Sequence, residues 1–178
     1  FKLWESISIE DITLNRLRLY LHGEPAVSYL LYLWLCRYVK KITVQAVHEK
    51  RAGKMLNLPP SVIKPVGFDE SESLLPYPKH SFVGYRLLQD YFPLPAKFLF
   101  INLTGLQDVT QLDVEDTFDI IMDISQSPDT LPQVSKDNIS LNCTPIVNLF
   151  SRDADPLRLE HEKVDYLIRP TGSDPLHY

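Results

Sequence analysis

The sequence predicts an α+β fold with mixed, mostly antiparallel sheets, two main helices and long proline-rich connectors. Short strand patterns outnumber helical patterns, and no long strand-helix alternation of the parallel type is present. The 178 residues are 44% hydrophobic and 11% aromatic, which is typical of a folded domain. We therefore expect one compact domain over residues 1–178, with a candidate internal boundary near 51–80.

The first part of the chain reads as strand, helix, strand. Asn15–Gly23 alternates basic and apolar residues and ends at a glycine, which predicts a strand with one solvent-exposed face. Pro25 suits a first helical turn, and residues 26–37 read AVSYLLYLWLCR. A helix so apolar on all sides needs cover from its own domain or from a partner, although a buried strand fits the same residues. Residues 40–49 alternate again and predict a second strand.

The apolar helix is too short to cross a membrane. Its twelve residues, 26–37, rise only about 18 Å, compared with roughly 30 Å for the hydrocarbon core of a bilayer. We therefore expect no membrane span.

The middle of the chain predicts a connector followed by a second helix. Residues 51–80 contain five prolines, which exclude long regular elements, and apolar residues that can anchor the segment to a core. Ser81 is a candidate helix cap, and Phe82, Tyr85, Leu88 and Phe92 recur at helical spacing after it. Gly84 inside this helix indicates the close approach of a backbone or a large side chain.

The remaining strand patterns differ in how much of each strand is apolar. Residues 97–103 are nearly all apolar and predict a strand covered on both faces. Residues 117–124 place Asp119 and Asp123 opposite an apolar face, which predicts a half-exposed edge strand. The stretches 156–160 and 164–170 are strand-like as well.

The sequence contains no established motif of a catalytic, nucleotide or metal site. Gly-x-Ser-x-Gly and phosphate-binding glycine loops are absent. His161-Glu162 lacks the second histidine of a zinc-protease motif, and the acidic stretches 69–72 and 113–116 lack calcium-loop spacing and are expected to be solvated. We expect no cofactor, and the net charge of −5 gives no reason to bind nucleic acid.

Two alternatives to a non-enzymatic protein stay open at this point. Cys143, with a distant base such as His161, could serve a cysteine-dependent hydrolase, although its apolar neighbours favour a buried thiol. A secreted carbohydrate-binding module is suggested only by aromatic residues and by three sequons, at Asn102, Asn138 and Asn142. The two cysteines lie far apart in sequence and indicate neither a disulfide scaffold nor a zinc ribbon.

Five stretches in order resemble one known family. They read LRLYLHGEP, PVGFDESESLLPYP, GYRLLQDYFPLPAKFLFINLTGL, CTPIVNLF and ADPLRLEHEKVDYLIRP, and together they run from Leu17 to Pro170. These stretches resemble the TssF family, also called ImpG or VasA, of baseplate subunits of the bacterial type VI secretion system. The departures are mild: Asp90 stands where the family often has Glu, Leu94 where it often has an aromatic residue, and Thr171 where an acid is common.

The resemblance implies an internal portion of a longer structural protein without catalytic residues. Its expected partners are TssG, TssE, TssK and a second TssF copy in a baseplate wedge, with the spike protein nearby. Its expected location is the cytoplasm, in a baseplate docked at the inner-membrane complex. We expect five residues to shape an interaction surface: Tyr85, Tyr91, Phe92, Asn148 and Phe150.

Overall fold

A computed structural model describes residues 9, 12–47, 53–78, 80, 82–112, 114, 117–125, 133–160 and 164–172. In these ranges the chain forms two antiparallel sheets, two α-helices of nine residues each and several short 3₁₀ turns. The α+β prediction is confirmed. The chain divides into two compact units, residues 1–145 and 146–178, and the proline-rich connector lies inside the first.

The strands and helices of the first unit follow one another in a simple order. Strand β1 is followed by helix α1, strands β2, β3 and β4, helix α2, and strands β5, β6 and β7. Their bounds are Arg16–Leu21 (β1), Pro25–Leu33 (α1), Val39–Val47 (β2), Met55–Leu58 (β3), Ile63–Pro65 (β4), Val83–Tyr91 (α2), Phe100–Thr104 (β5), Thr117–Ile124 (β6) and Ile139–Ser140 (β7).

The larger sheet has the order β4-β5-β1-β7, and β1 and β5 form its centre. Arg16 of β1 pairs with Thr104 of β5, and Tyr20 pairs with Phe100. Leu19 and Leu21 of β1 are buried, as the alternation predicts. The turn after β1 uses Gly23 at φ 122, a backbone conformation that side chains oppose, and Asn138 occupies the space where a side chain would extend.

The smaller sheet has the order β3-β2-β6. Ile42, Val44 and Ala46 of β2 are completely buried, which confirms the predicted strand and its inward face. Strand β6 pairs with β2 and with no other described strand, so the prediction of an edge strand is also confirmed.

Helix α1 is confirmed, and the alternative of a buried strand is wrong. Pro25 lies in its first turn, and a wider π-type turn over Trp34–Tyr38 leads into β2. The helix buries Val27 and Leu31, but Tyr29 and Leu33 remain about half exposed.

Three strand predictions need correction. Residues Pro95–Leu99 form a 3₁₀ turn, so the predicted strand at 97–103 begins only at Phe100. In the second unit, 156–160 and 164–170 form no strands, and Ala154 and Pro170 make one isolated antiparallel bridge. Two backbone hydrogen bonds close this bridge: the N–H of Asp155 donates to the carbonyl of Arg169, and the N–H of Thr171 donates to the carbonyl of Asp153.

Candidate interaction surface

Helix α2 exposes its apolar side and buries its charged side, which is the reverse of an ordinary surface helix. Its exposed side is apolar and includes Tyr85, which is 66% exposed, Leu88, and Phe92, just past its end, which is 77% exposed. Its buried residues are instead charged: Arg86 and Asp90. We call the exposed side the α2 apolar face; it comprises Phe82, Tyr85, Leu88, Tyr91 and Phe92.

A buried ion pair holds the inner side of α2. Lys97, on the 3₁₀ turn that follows the helix, is 1% exposed and donates to Oδ2 of Asp90, which is equally buried. The other carboxylate oxygen, Oδ1, has no hydrogen-bond partner among the described residues. Burying two charges is tolerated only when they are paired, so this contact fixes the helix against its own C-terminal connection.

Arg86 attaches α2 to the proline-rich connector. Its Nη1 donates to the backbone carbonyl of Asp69 over 3.0 Å, and its Nη2 donates to the carbonyl of Phe68 over 2.6 Å. The connector is also held from the other side, where Arg18 of β1 forms a 2.8 Å ion pair with Glu72. Glu72 accepts a further hydrogen bond from the amide of Gly67 over 2.6 Å.

The sequence predicts that the acidic residues of 69–72 are solvated. For Glu72 this is wrong, because its carboxylate binds Arg18 and the amide of Gly67 and holds the connector in place. Asp69 and Glu70 are exposed as expected. Asp69 caps the following 3₁₀ turn, and the hydroxyl and amide of Ser71 that bond to its carboxylate lower the pKa of Asp69.

Ring contacts extend the α2 apolar face onto neighbouring segments. Tyr91 contacts both Phe92 and Phe98, with ring centroids 6.1 and 5.9 Å apart. Phe98 in turn contacts Phe68 at 5.1 Å. The aromatic surface therefore continues from α2 to the connector at Phe68, immediately beside Asp69 and Glu70.

Gly84 supports the arrangement at the start of α2. A Cβ atom at this position would lie 2.4 Å from the ring of Phe82, which itself packs edge-on against Tyr85. The predicted close approach of a large side chain is confirmed. Ser81 lies outside the described residues, and the helix follows Phe82 without a side-chain cap hydrogen bond.

The five predicted surface residues are all exposed. Tyr85, Tyr91 and Phe92 belong to the α2 apolar face, while Asn148 and Phe150 lie in the second unit, where Phe150 is 77% exposed and does not enter the core. Sequence reasoning missed the residues that orient α2, namely Arg86, Asp90 and Lys97. The only signal for them was the presence of two charges four residues apart in a largely apolar helix.

The cysteines give no support to the hydrolase alternative. Cys143 is half-buried and its thiol lies 3.4 Å from the carbonyl of Leu141, while the candidate base His161 lies outside the described residues. Partial burial raises the pKa of the Cys36 thiol, and a hydrogen bond from Tyr32 opposes this by lowering it. A raised pKa is the opposite of what a nucleophilic thiol needs.

The described ranges also hold no group of three His, Cys, Asp or Glu side chains that could bind a metal ion. None of the helices found in them is both long enough and apolar enough to span a membrane.

The chain is similar to known proteins of one family. The family described as type VI secretion system, TssF, matches the chain over residues 1–178. The chain belongs to the TssF family. The family resemblance of the five sequence stretches is therefore confirmed.

Two relatives of this TssF chain give the scale of the similarity. Type VI secretion system component TssF1 of Pseudomonas aeruginosa is 31% identical over 173 residues, which are 97% of this chain and 28% of that protein. A chain in a cryo-electron-microscopy structure of the TssK-TssF-TssG baseplate subcomplex superposes with a TM-score of 0.64 at 33% identity, covering 92% of this chain and 30% of that one. This chain therefore spans less than a third of the length of either relative.

Proposed function

We propose that this chain is a structural part of a type VI secretion baseplate wedge and acts by binding other protein subunits, not by catalysis. The observation that carries the proposal is the orientation of α2: four aromatic side chains on or beside the helix are exposed, while its Asp90 is buried in an ion pair with Lys97. Exposed apolar patches larger than a few hundred Å² are characteristic of protein-binding sites.

TssG and TssK are the first partners to test. The solved relative comes from a subcomplex of TssK, TssF and TssG, which supports both as partners of this chain. TssE and a second TssF copy complete the proposed wedge, and the spike protein lies near it. The proposed location is a cytoplasmic baseplate docked at the inner-membrane complex.

The interaction residues we propose are Tyr85, Tyr91 and Phe92 on or beside α2 in the first unit and, separately, Asn148 and Phe150 in the second unit. All five are exposed, so none is needed to complete the hydrophobic core. Aromatic side chains are enriched in the buried centres of protein interfaces, where they supply large contact areas.

The test is copurification of the full-length protein with TssG and TssK from the same bacterium. We expect both subunits to be retained, and we expect Tyr85→Ser with Phe92→Ser, or Phe150→Ser, to weaken the complex while circular dichroism stays unchanged. Tyr29→Ser is the matched control, because Tyr29 is an exposed tyrosine on the other helix. Failure of the wild-type protein to retain either subunit would overturn the proposal.

A further inference from the structure

The α2 apolar face is not large enough to form a complete interface alone. Phe82, Tyr85, Tyr91 and Phe92 are between 46% and 77% exposed. With 150–250 Å² for each aromatic side chain, they present on the order of 500 Å². One partner of a standard interface contributes about 800 Å², so a subunit that covers this face also contacts its surroundings.

The surroundings at one end are acidic. Phe68 ends the series of ring contacts, and Asp69 and Glu70 follow it directly. Both are exposed, and neither forms an ion pair with another described residue. Glu72 does not add to this charge, because Arg18 neutralises it. The rim of the face therefore carries two exposed carboxylates: Arg86 partly offsets the charge of Asp69, whereas Glu70 has no ion-pair partner among the described residues.

These charges are held at a fixed position relative to α2. Arg86 projects from the inner side of the helix and binds the carbonyls of Phe68 and Asp69, so the backbone that carries the acids moves with the helix. The hydrogen bonds from Ser71 orient the carboxylate of Asp69 and lower its pKa. A fixed charge next to an apolar face selects partners by sign, because a like charge opposite it is repelled.

We propose that the α2 apolar face docks an apolar surface of another baseplate subunit whose edge carries lysine or arginine opposite Asp69 and Glu70. This inference rests on the proposed function and adds the chemistry of the partner. The apolar face supplies most of the contact area. The acidic rim guides the approach and sets the register.

The experiment measures association of the full-length protein with purified TssG and with TssK over a range of salt concentrations. We expect Glu70→Lys to slow association with one of them by about tenfold at low salt and to flatten its salt dependence. Phe92→Ser should mainly speed dissociation. Asp119→Lys, an equal charge reversal at an exposed position of β6, is the control and should change neither rate.

Each outcome decides the proposal. A flattened salt dependence for Glu70→Lys but not for Asp119→Lys supports it. Equal binding by Glu70→Lys and wild type, tighter binding by Glu70→Lys, or docking of this face on a second copy of the same chain would overturn it and leave the proposed function intact. If wild-type protein binds neither subunit, the proposed function fails and this inference fails with it.

Discussion

Helices α1 and α2 have the same length and opposite orientations of their apolar residues. Helix α1 turns Val27 and Leu31 into the core, and its buried polar residue, Ser28, hydrogen-bonds within the helix to the carbonyl of Pro25. Helix α2 turns its aromatic residues outward and buries Asp90 and Arg86. The spacing of apolar residues thus determines that both segments are helical, whereas the charged residues determine which side of α2 faces inward.

The orientation of α2 costs stability. Burying one large apolar side chain contributes about 1.5–3 kcal/mol, and α2 leaves several such side chains in solvent. Placing the Asp90–Lys97 pair in solvent would also avoid the desolvation of two charges. A helix held in this less favourable orientation indicates that the apolar side has a use outside its own core.

The largest effect is expected at Lys97. Lys97→Met removes one charge and leaves the Asp90 carboxylate buried without its partner, which should lower the free energy of unfolding by about 3–5 kcal/mol. Urea unfolding followed by circular dichroism measures this. Lys54→Met is the control, because Lys54 is exposed and its replacement should change stability by less than about 0.5 kcal/mol.

A double variant separates the charge from the packing. Asp90→Leu combined with Lys97→Met replaces the pair by apolar side chains and should recover most of the lost stability. A single Lys97→Met variant as stable as wild type would mean that the ion pair does not hold α2 in place.

A matched pair of leucines compares the two helices directly. Leu31 in α1 is 6% exposed and Leu88 in α2 is 52% exposed. Leu31→Ala should lower the free energy of unfolding by about 2–5 kcal/mol, since it leaves a cavity in the core. Leu88→Ala should cost less than about 1 kcal/mol. Equal losses in denaturant unfolding would show that Leu88 is part of the core and would remove the contrast between the helices.

Sequence patterns predicted most elements of the first unit, because their signals are local. Alternation marked β1 and β2, and apolar spacing marked both helices. The orientation of α2 could not be predicted, because a period of 3.6 residues is the same whether an apolar side faces a core or a partner. Its determinant, the contact of Asp90 with Lys97, joins a helix to a separate turn.

The strand predictions in the second unit failed for a related reason. Strand-like residues form a ladder only when a neighbouring backbone supplies hydrogen bonds at successive positions, and the described residues of the second unit form one isolated bridge, Ala154–Pro170, instead of a ladder. Likewise, β7 pairs with β1 across more than one hundred residues, which no local pattern could indicate. The exposure of Tyr85 and Phe92 also depends on the tertiary position of α2.

A smaller effect is expected at Arg86. Arg86→Met removes two hydrogen bonds from a charged donor to the carbonyls of Phe68 and Asp69, and should cost about 1.5–3 kcal/mol. Amide hydrogen exchange should also become faster in residues 68–73, because the connector loses its attachment to α2. Gln89→Met, on the exposed side of the same helix, is the control and should leave exchange in the connector unchanged. Unchanged exchange in Arg86→Met would mean that other contacts fix the acidic rim.

The smallest effect is expected at the hydrogen bond between Tyr32 of α1 and Cys36. This bond is local and does not determine which side of the helix faces inward. Cys36, which follows α1, is exposed, yet partial desolvation of its thiol raises its pKa, and the hydrogen bond from Tyr32 partly offsets that rise. Tyr32→Phe removes this bond and should raise the thiol pKa further, so less thiolate is present at pH 8 and alkylation becomes slower. The rate is measured against pH in a Cys143→Ser background, with Tyr29→Phe as the control. Because the Tyr32 hydroxyl itself has its pKa raised to about 12, it stays a neutral donor throughout this range. Faster alkylation of Tyr32→Phe would mean that the tyrosine shields the thiol more than it stabilises the thiolate.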